Sequence, residues 1–147
     1  MSYHENRNLV NMAAAILVPA VYFYSRLNNV ALSSMESAEL LKFWGKQMMI
    51  YILVAIGIRI AIEILYAIVY SAITKESVPK TDERDKMIEL KSKNVSQVIF
   101  IFGIIGGMGA LALEMSVTMF FVSFLVGGVL AELVENTIQL VYYKRGF

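Results

Sequence analysis

Residues 56–70, which read IGIRIAIEILYAIVY, decide the fold class of this chain. They belong to a longer apolar run, residues 48–73, in which Arg59 and Glu63 are the only charged side chains. An α-helix rises about 1.5 Å per residue, so about 20 residues cross the hydrocarbon core of a bilayer. The run is longer than that and predicts a membrane-spanning helix that carries two charges.

Three further apolar runs approach or exceed the same length: residues 9–24, 95–113 and 117–143. Of the 147 residues, 58% are hydrophobic and the mean hydropathy is +0.62. Soluble domains contain roughly 45 to 50% apolar residues. The sequence therefore predicts an all-α integral membrane four-helix bundle, a single transmembrane domain over residues 1–147 that has the lipid bilayer as its surroundings.

Composition also excludes several classes of site and partner. The chain has no cysteine, which rules out disulfides, thiolate nucleophiles and cysteine-ligated metal sites within it. The formal net charge is +1, from 13 basic and 12 acidic residues, so electrostatics do not favour a nucleic acid as partner. We expect no cofactor, no bound metal and no nucleic-acid partner.

Basic residues are distributed unevenly between the two predicted sides of the membrane. With four spans, both termini and the loop after the second span share one side, and nine basic residues fall there: Arg7, Lys75, Lys80, Arg84, Lys86, Lys91, Lys93, Lys144 and Arg145. The opposite side has three: Arg26, Lys42 and Lys46. Because cytoplasmic loops are enriched in lysine and arginine, we expect both termini in the cytoplasm and a multi-pass protein of the cell, or inner, membrane.

The connecting segments carry signals for helix starts. Ser33 and Glu36 have the spacing of a capping box and predict the start of a helix that leads into the second span. Residues 82–94 contain no glycine or proline and predict a cytoplasmic helical extension of the third span. Three aromatic side chains are expected in the belt at the outer interface: Trp44, Tyr22 and Tyr24.

The cytoplasmic extension carries charges that allow two interpretations. Asp82, Asp85 and Glu89 fall at i, i+3 and i+7, so their carboxylates share a helix face and could in principle hold a divalent cation or a basic partner. Asp82 with Lys86, and Glu89 with Lys93, are also acid-first i,i+4 pairs, which are typical of a solvated helix. We favour the second, structural interpretation.

A short motif directly precedes the third span. It consists of Asp82, Glu83 and Arg84, followed by Ile88, Glu89 and Lys91. This motif resembles a family of small prokaryotic "predicted membrane proteins" of unknown function, and the similarity extends from Thr81 through the last two spans. The resemblance implies a bacterial or archaeal cytoplasmic membrane protein with four spans, and it implies no substrate or catalytic residue.

Small residues in the last two spans predict close helix packing. In the third span, Gly103 with Gly107, and Gly106 with Ala110, have the small-xxx-small spacing that lets two helices approach closely. The fourth span offers a corresponding set: Ser123, Gly127 and Gly128. We expect the third and fourth spans to pack tightly, while the same faces could alternatively form a homodimer.

Two polar stripes are predicted inside the bundle. The stripe of the second span, with spacings of four, three and four, consists of Arg59, Glu63, Tyr66 and Tyr70. The stripe of the fourth span consists of Glu132, Glu135, Asn136 and Gln139. A charge at the bilayer centre costs about 2.5 to 3.5 kcal/mol on insertion scales, so these side chains should face the interior and each other, and pair.

The predicted cluster contains more carboxylates than cations. Arg59 can neutralise one of them, with Glu63 on its own helix and Glu132 on the fourth span as the alternatives. The remaining glutamates then need a proton, water or a cation. Glu135 lies near the cytoplasmic end of its span and is either buried or interfacial.

Two functions are compatible with this cluster. The favoured hypothesis is a polar clamp that fixes helix packing in a non-enzymatic accessory or structural subunit, with another membrane protein or a second copy as partner. The alternative is a small proton- or cation-coupled transporter or channel that uses the intramembrane glutamates. An enzyme is not expected, because no nucleophile motif is recognisable and the only histidine, His4, is predicted to be solvated near the N-terminus.

Overall fold

The structure, a computed structural model, describes residues 3–145, and these fold into four α-helices. The helices are α1, Tyr3–Leu27; α2, Ser37–Thr74; α3, Glu83–Ala112; and α4, Val117–Arg145. Four residues of the predicted domain lie outside the described part: Met1, Ser2, Gly146 and Phe147. The prediction of an all-α chain is confirmed.

All four helices are long and apolar enough to cross a membrane. The apolar runs of residues 9–24, 48–73 and 117–143 lie within α1, α2 and α4. α3 is one continuous helix that contains both the charged extension and the third apolar run, up to its capping residue Leu113. These lengths and compositions support a membrane protein.

The starts of α2 and α3 differ in how well local sequence predicts them. At α3, a carboxylate oxygen of Asp82 accepts the backbone N–H of Asp85 at 2.7 Å, and Asp85 accepts the N–H of Asp82 at 3.0 Å. This is a capping box. The capping box predicted for Ser33 and Glu36 is wrong: Ser33 lies in a short 3-10 turn, so α2 begins at Ser37, and Glu36 makes no side-chain capping bond.

A tight turn joins α3 to α4. Glu114 has a left-handed backbone with φ 57°, and the N–H of Met115 donates to the carbonyl oxygen of Ala110 at 2.9 Å. The N–H of Glu114 donates to the carbonyl oxygen of Leu111 at 3.0 Å, which completes a Schellman motif. The turn places α3 and α4 side by side and antiparallel.

α4 is the central helix of the bundle. It packs most extensively against α3, less against α1, and least against α2.

The contact of α4 with α3 is very close, because a Cβ atom added to Gly103 would lie 2.7 Å from the Cα atom of Gly127. Ser123 donates from its hydroxyl to the carbonyl oxygen of Gly103 at 2.9 Å, and Gly107 lies against Phe120. The remaining small residues of the predicted packing faces are also placed: Gly106 faces Ser123, Gly128 faces Phe100, and Ala110 is half-buried.

A buried aromatic cluster joins α1, α2 and α4 at one end of the bundle. The side chain of Trp44 is almost completely buried, its indole N–H donates to the hydroxyl of Thr118 at 3.0 Å, and its ring stacks on Phe121. Tyr22 is also part of this cluster. Trp44 and Tyr22 are therefore buried where α1, α2 and α4 meet, and Tyr24 is exposed. That these three residues lie at the depth of the outer interface stays a prediction.

Candidate functional site

An ion pair between Arg59 and Glu132 joins α2 to α4. The guanidinium of Arg59 donates through Nη1 to Oε1 of Glu132. Asn136, one turn farther along α4, is buried and donates from Nδ2 to the backbone oxygen of Glu132 at 2.8 Å. Within the chain, the side chains of Arg59 and Glu132 are 40% and 34% exposed. The sequence left Glu63 and Glu132 as alternative partners of Arg59, and in the structure Arg59 pairs with Glu132.

Glu63 is neutralised by an arginine from α1. Arg7 donates from Nε to Oε2 of Glu63 at 2.8 Å, and Asn11 donates from Nδ2 to Oε1 at 3.3 Å. Hydrogen bonds between a guanidinium and a carboxylate are charge-assisted and belong to the stronger class. Arg7 therefore adds a second cation to the polar interior, and the excess of carboxylates there is smaller than predicted. The sequence analysis counted Arg7 only among the basic residues that set the orientation in the membrane.

α1 has a polar face that the sequence-based prediction missed. Asn8 directly follows Arg7, Asn11 lies one helical turn farther along, and the two are 4% and 3% exposed. Within residues 3–145, Nδ2 of Asn8 and Oδ1 of Asn11 have no hydrogen-bond partner. A signal for this face was present, because Arg7, Asn8 and Asn11 follow helical spacing into the first apolar run. This face is the least satisfied part of the polar interior.

Glu135 and Gln139 face α3 and not α2. The hydroxyl of Ser96 donates to Oε2 of Glu135 at 3.2 Å, and Nε2 of Gln139 donates to the hydroxyl of Ser92 at 3.0 Å. A step of three residues rotates the position by about 60° around a helix, which is enough to change the neighbour of a central helix. The expectation that the two predicted stripes face each other therefore holds for Glu132 alone. Glu135 is half-buried.

Two crevices meet at the pair formed by Arg59 and Glu132. The first, of about 350 Å³, lies between α1 and α2 and has mainly aliphatic walls, including Val18 and Ile56. The second, of about 340 Å³, lies among α2, α3 and α4 and has more polar walls, including Ser96, Gln97 and Glu135. Arg59 and Glu132 line both crevices. The ion pair thus separates an apolar crevice from a polar one.

The aromatic residues of the α2 stripe contact the beginning of α1. The hydroxyl of Tyr66 donates to the backbone oxygen of Tyr3 at 3.1 Å. The ring centres of Tyr66 and Tyr70 lie 5.2 Å and 4.7 Å from that of Tyr3. Tyr66 and Tyr70 therefore hold the two helix ends together and lie apart from the contact of Arg59 with Glu132.

His4 lies in a cluster where the ends of α1, α3 and α4 meet. Its ring stacks on that of Tyr143, and its Nε2 lies 3.8 Å from Oδ2 of Asp85. The hydroxyl of Tyr143 donates to Oδ1 of Asp85 at 3.0 Å. The prediction that His4 is solvated is therefore wrong, since its side chain is 17% exposed, and the reason is that α3 and α4 cover the start of α1.

The charge state of Asp85 reflects these contacts. Partial burial raises the pKa of Asp85, but hydrogen bonds from the backbone N–H of Asp82 and the hydroxyl of Tyr143 lower it more, and nearby His4 adds to this. The net result is a pKa below the ordinary value for aspartate. Asp85 is therefore a carboxylate at neutral pH and ties α3 to α4.

The other acidic residues of the charged extension have structural contacts. Glu89 accepts a hydrogen bond from Nζ of Lys93 at 2.6 Å, as an i,i+4 pair. Asp82 caps α3, and the predicted contact between Asp82 and Lys86 is replaced by this cap. Within residues 3–145, no three histidine, aspartate or glutamate side chains are grouped closely enough to hold a metal ion.

The basic residues of the motif lie next to the end of α4. Nη2 of Arg84 donates to the backbone oxygen of Tyr142 at 3.5 Å, and Nζ of Lys91 lies 6.0 Å from the centre of the Tyr142 ring. Glu83 is exposed at the first position of α3. The motif thus contributes capping and contacts between α3 and α4.

Comparison of the chain with protein-family models, with curated proteins and with solved structures gives no match. The resemblance of the motif in α3 to small prokaryotic membrane proteins therefore stays a prediction.

Proposed function

We propose that the protein is a non-enzymatic integral membrane protein, an accessory or structural subunit in which two arginine–glutamate pairs hold α2 in place. The proposal includes cytoplasmic termini and a location in the cell, or inner, membrane of a bacterium or archaeon. The four long apolar helices and the excess of basic residues on one predicted side support this placement.

The observation that carries the proposal is that both pairs end on α2. The contacts of α2 with α1 and α4 are sparse, and none of its most apolar 18-residue window is buried inside the chain. In hydrocarbon, lipid tails are as apolar as leucine, so apolar burial gives little drive for helix association. The pairs Arg7–Glu63 and Arg59–Glu132 therefore supply charged contacts in the apolar part of α2, one to α1 and one to α4. They add to the hydrogen bonds of Trp44 and Tyr66 nearer its two ends.

The exposed apolar surface of α2 is what a subunit that binds another membrane protein would need. The pairs fix how α2 is rotated in the bundle, and the helix exposes large apolar residues such as Met49, Leu53 and Ile64. Another membrane protein, or a second copy of this chain, would thus meet a surface of constant shape. We propose that the polar clamp holds this surface of α2 in a fixed orientation for the partner.

The test is a double-mutant cycle on Arg59 and Glu132 that measures the free energy of unfolding in detergent micelles. Arg59→Met and Glu132→Leu should each destabilise the fold by about 1 to 3 kcal/mol, because each leaves an unpaired charge in a helix segment that is surrounded by hydrocarbon. The double variant should recover much of this loss, with a coupling of at least about 1 kcal/mol. Full additivity of the two changes would contradict the clamp.

A matched control is available in α3. Lys93→Met and Glu89→Leu break an exposed i,i+4 pair of the same charge types, with side chains 51% and 50% exposed. Exposed pairs of this kind couple by roughly 0.3 to 0.5 kcal/mol. If this pair coupled as strongly as Arg59 with Glu132, the measured coupling would reflect charge removal in general and not a clamp.

A second function, coupled movement of protons or cations, is favoured by the two crevices that meet at Arg59 and Glu132. Reconstitution into liposomes separates it from the clamp. Under the clamp proposal, Glu63→Gln and Glu132→Gln lower the thermal stability, and proton or solute flux equals that of empty vesicles. Under the transport alternative, the unmodified protein shows a pH-dependent flux that either change abolishes.

A further inference from the structure

The apolar crevice between α1 and α2 has the size and the lining of a small-molecule site. Its volume is about 350 Å³, and three polar residues line it: Tyr51, Arg59 and Glu132. The other described side chains that line it are aliphatic, with Ala15 of α1 and Ala55 of α2 among the small ones that leave the space open. Sites for small molecules are typically concave cavities of about 300 to 1,000 Å³ with apolar walls and a few polar groups. The crevice is therefore a candidate site for a small ligand.

Arg59 has more hydrogen-bond donors than its partner uses. A guanidinium carries N–H donors on all of its nitrogen atoms. Within residues 3–145, Arg59 makes a single hydrogen bond, to Glu132, and its side chain is 40% exposed. In the polar crevice, where Gln97 and Glu135 are part of the walls, water can bond to the remaining donors. In the apolar crevice, a donor without a partner costs free energy, so a ligand that supplies an acceptor is stabilised there.

Tyr51 is a second donor that lines the apolar crevice. The aromatic cluster holds its ring, whose centre lies 5.5 Å from that of Tyr22 and 5.1 Å from that of Phe23. In the described part of the chain, the hydroxyl of Tyr51 makes no hydrogen bond. The oxygen atom of a carbonyl group has two lone pairs and can therefore accept from both Tyr51 and Arg59.

The depth of Arg59 separates it from the polar groups of phospholipids. Arg59 lies about 17 Å from Met48 and about 21 Å from Ile73 along the axis of α2, near the middle of the predicted second span. The hydrocarbon core of a bilayer is about 30 Å thick, and the lipid headgroups lie outside it. An acceptor at this depth therefore belongs to water or to a molecule that dissolves in hydrocarbon. Aliphatic walls favour the second, because a bound water needs several polar partners.

The charges in the crevice favour a neutral ligand. The positive charge of Arg59 is balanced by Glu132. A charged ligand would have to leave water for an apolar cavity that has no unpaired counterion, which is costly. A neutral carbonyl compound has no such cost and still provides the acceptor.

We propose that the apolar crevice binds a small neutral molecule, dissolved in the membrane, whose carbonyl oxygen accepts hydrogen bonds from Arg59 and Tyr51. The aliphatic walls take the apolar body of the ligand. This inference rests on the proposed membrane placement and goes beyond the clamp, which needs only the contact of Arg59 with Glu132.

The test is photolabelling of the purified full-length protein in micelles with benzophenone, a neutral ketone that attaches to nearby C–H bonds when irradiated. Mass spectrometry of the digested protein identifies the labelled residues, at a fixed ratio of probe to detergent and below saturation. Labelling should concentrate on the walls of the crevice, for example at Val18 and Ile56. Dicyclohexyl ketone should suppress this labelling at a concentration about tenfold lower than dicyclohexylmethane, which lacks the oxygen atom and its hydrogen bond to a charged donor.

Tyr51→Phe removes only the hydroxyl and should lower the labelling of the crevice about fivefold, since one hydrogen bond is lost. Its matched control is Tyr24→Phe, which removes an exposed hydroxyl from α1 and should leave the labelling unchanged.

Ala55→Leu fills the crevice and should lower the labelling by about fivefold or more. Ala13→Leu is its control, since it adds the same bulk at an exposed position of α1 outside the crevice. Tyr51→Phe leaves the walls in place and decides the outcome if Ala55→Leu does not fold.

Equal suppression by the ketone and the hydrocarbon would overturn the proposal, because the crevice would then be an apolar groove that acyl chains can fill. Unchanged labelling of Tyr51→Phe would overturn it as well, and so would labelling spread evenly over exposed residues elsewhere, such as Leu53 and Ile101. None of these results affects the cycle on Arg59 and Glu132. Full additivity in that cycle would contradict the clamp and leave the ligand site standing.

Discussion

Gly103 and Gly127 illustrate how the absence of a side chain sets the distance between two helices. Their backbones approach so closely that a Cβ atom on either residue would lie 2.7 Å from the Cα atom of the other. The contact atom belongs to the backbone, which cannot move aside as a flexible side chain can. The two glycines therefore determine how closely α3 and α4 pack, and the bond from Ser123 to Gly103 depends on this distance.

We predict that Gly103→Ala destabilises the protein by about 1 to 3 kcal/mol, because the added methyl group forces the two helices apart. The free energy of unfolding in micelles is the measurement. Gly109→Ala is the control in the same helix, since an added Cβ there has no atom within 4 Å. It should be neutral or stabilising by up to about 1 kcal/mol, because alanine favours helix more than glycine does. Equal losses in both variants would mean that close packing is not the cause.

The three glutamates of the polar interior show that residue type alone does not decide a partner. Glu63 binds Arg7 of α1, Glu132 binds Arg59 of α2, and Glu135 accepts from Ser96 of α3. Each carboxylate faces a different neighbouring helix. A charge inside a membrane bundle is stabilised by whichever donor its helix faces, so the neighbouring helix decides the pairing.

At the scale of elements, the helix ends are connected by polar and aromatic contacts and not by apolar burial alone. Asp85 caps α3, accepts from Tyr143 of α4 and lies near His4 of α1. Tyr66 of α2 bonds to the backbone of Tyr3. The predicted cytoplasmic ends of all four helices are therefore joined to one another.

We predict that Asp85→Ala lowers the free energy of unfolding by about 1 to 2 kcal/mol at pH 7, since it removes a cap and an interhelical hydrogen bond. The pKa of Asp85 is lowered by folding, so its contribution is complete above the pKa of unfolded aspartate, about 3.9. The contribution is lost as the pH falls through the lower pKa of the folded state. The difference between variant and unmodified protein should thus be constant above about pH 5 and shrink below about pH 4.

Thermal unfolding between pH 3 and pH 8 is the measurement for Asp85. The control is Glu76→Ala, an exposed acidic residue between α2 and α3, which should change stability by no more than about 0.5 kcal/mol. A difference at Asp85 that persists unchanged to pH 3 would show that its charge is not what stabilises the helix junction.

At the scale of the whole molecule, the arrangement is organised around α4. α3 and α4 form an antiparallel pair joined by a tight turn, and α1 packs on α4. α2 is attached to α1 and α4 by the aromatic cluster around Trp44, by the contacts of Tyr66 and Tyr70 with Tyr3, and by the two ion pairs. α2 is thus the helix to which both arginine–glutamate pairs belong. This agrees with the proposal that its surface meets a partner.

The proposed orientation in the membrane has a direct test, because the chain has no cysteine and single cysteines can be introduced. Asn29→Cys lies in the loop between α1 and α2, and Lys80→Cys lies between α2 and α3; both positions are exposed. In intact cells, a membrane-impermeant maleimide should label Asn29→Cys and should label Lys80→Cys only after permeabilisation. The opposite pattern would reverse the orientation, and labelling of both would contradict the four-span topology.

The all-α fold class and the four helices long and apolar enough to cross a membrane could be predicted from the amino-acid sequence alone. Helix length and apolar character are local properties that a run such as residues 48–73 displays without reference to any neighbour. The small residues of the third and fourth spans also lie at a close helix contact, because their spacing is set within each helix.

The partner of each polar side chain follows from the packing of the helices. This packing assigned Glu132 to Arg59 and Glu63 to Arg7, placed Trp44 in a buried cluster, and covered His4 with α3 and α4. These outcomes depend on how each helix is rotated toward its neighbours, and about 60° of rotation is enough to send Glu132 and Glu135 to different helices. The rotation of a helix is set by contacts between residues far apart in the chain. The periodic pattern of one helix therefore cannot predict it.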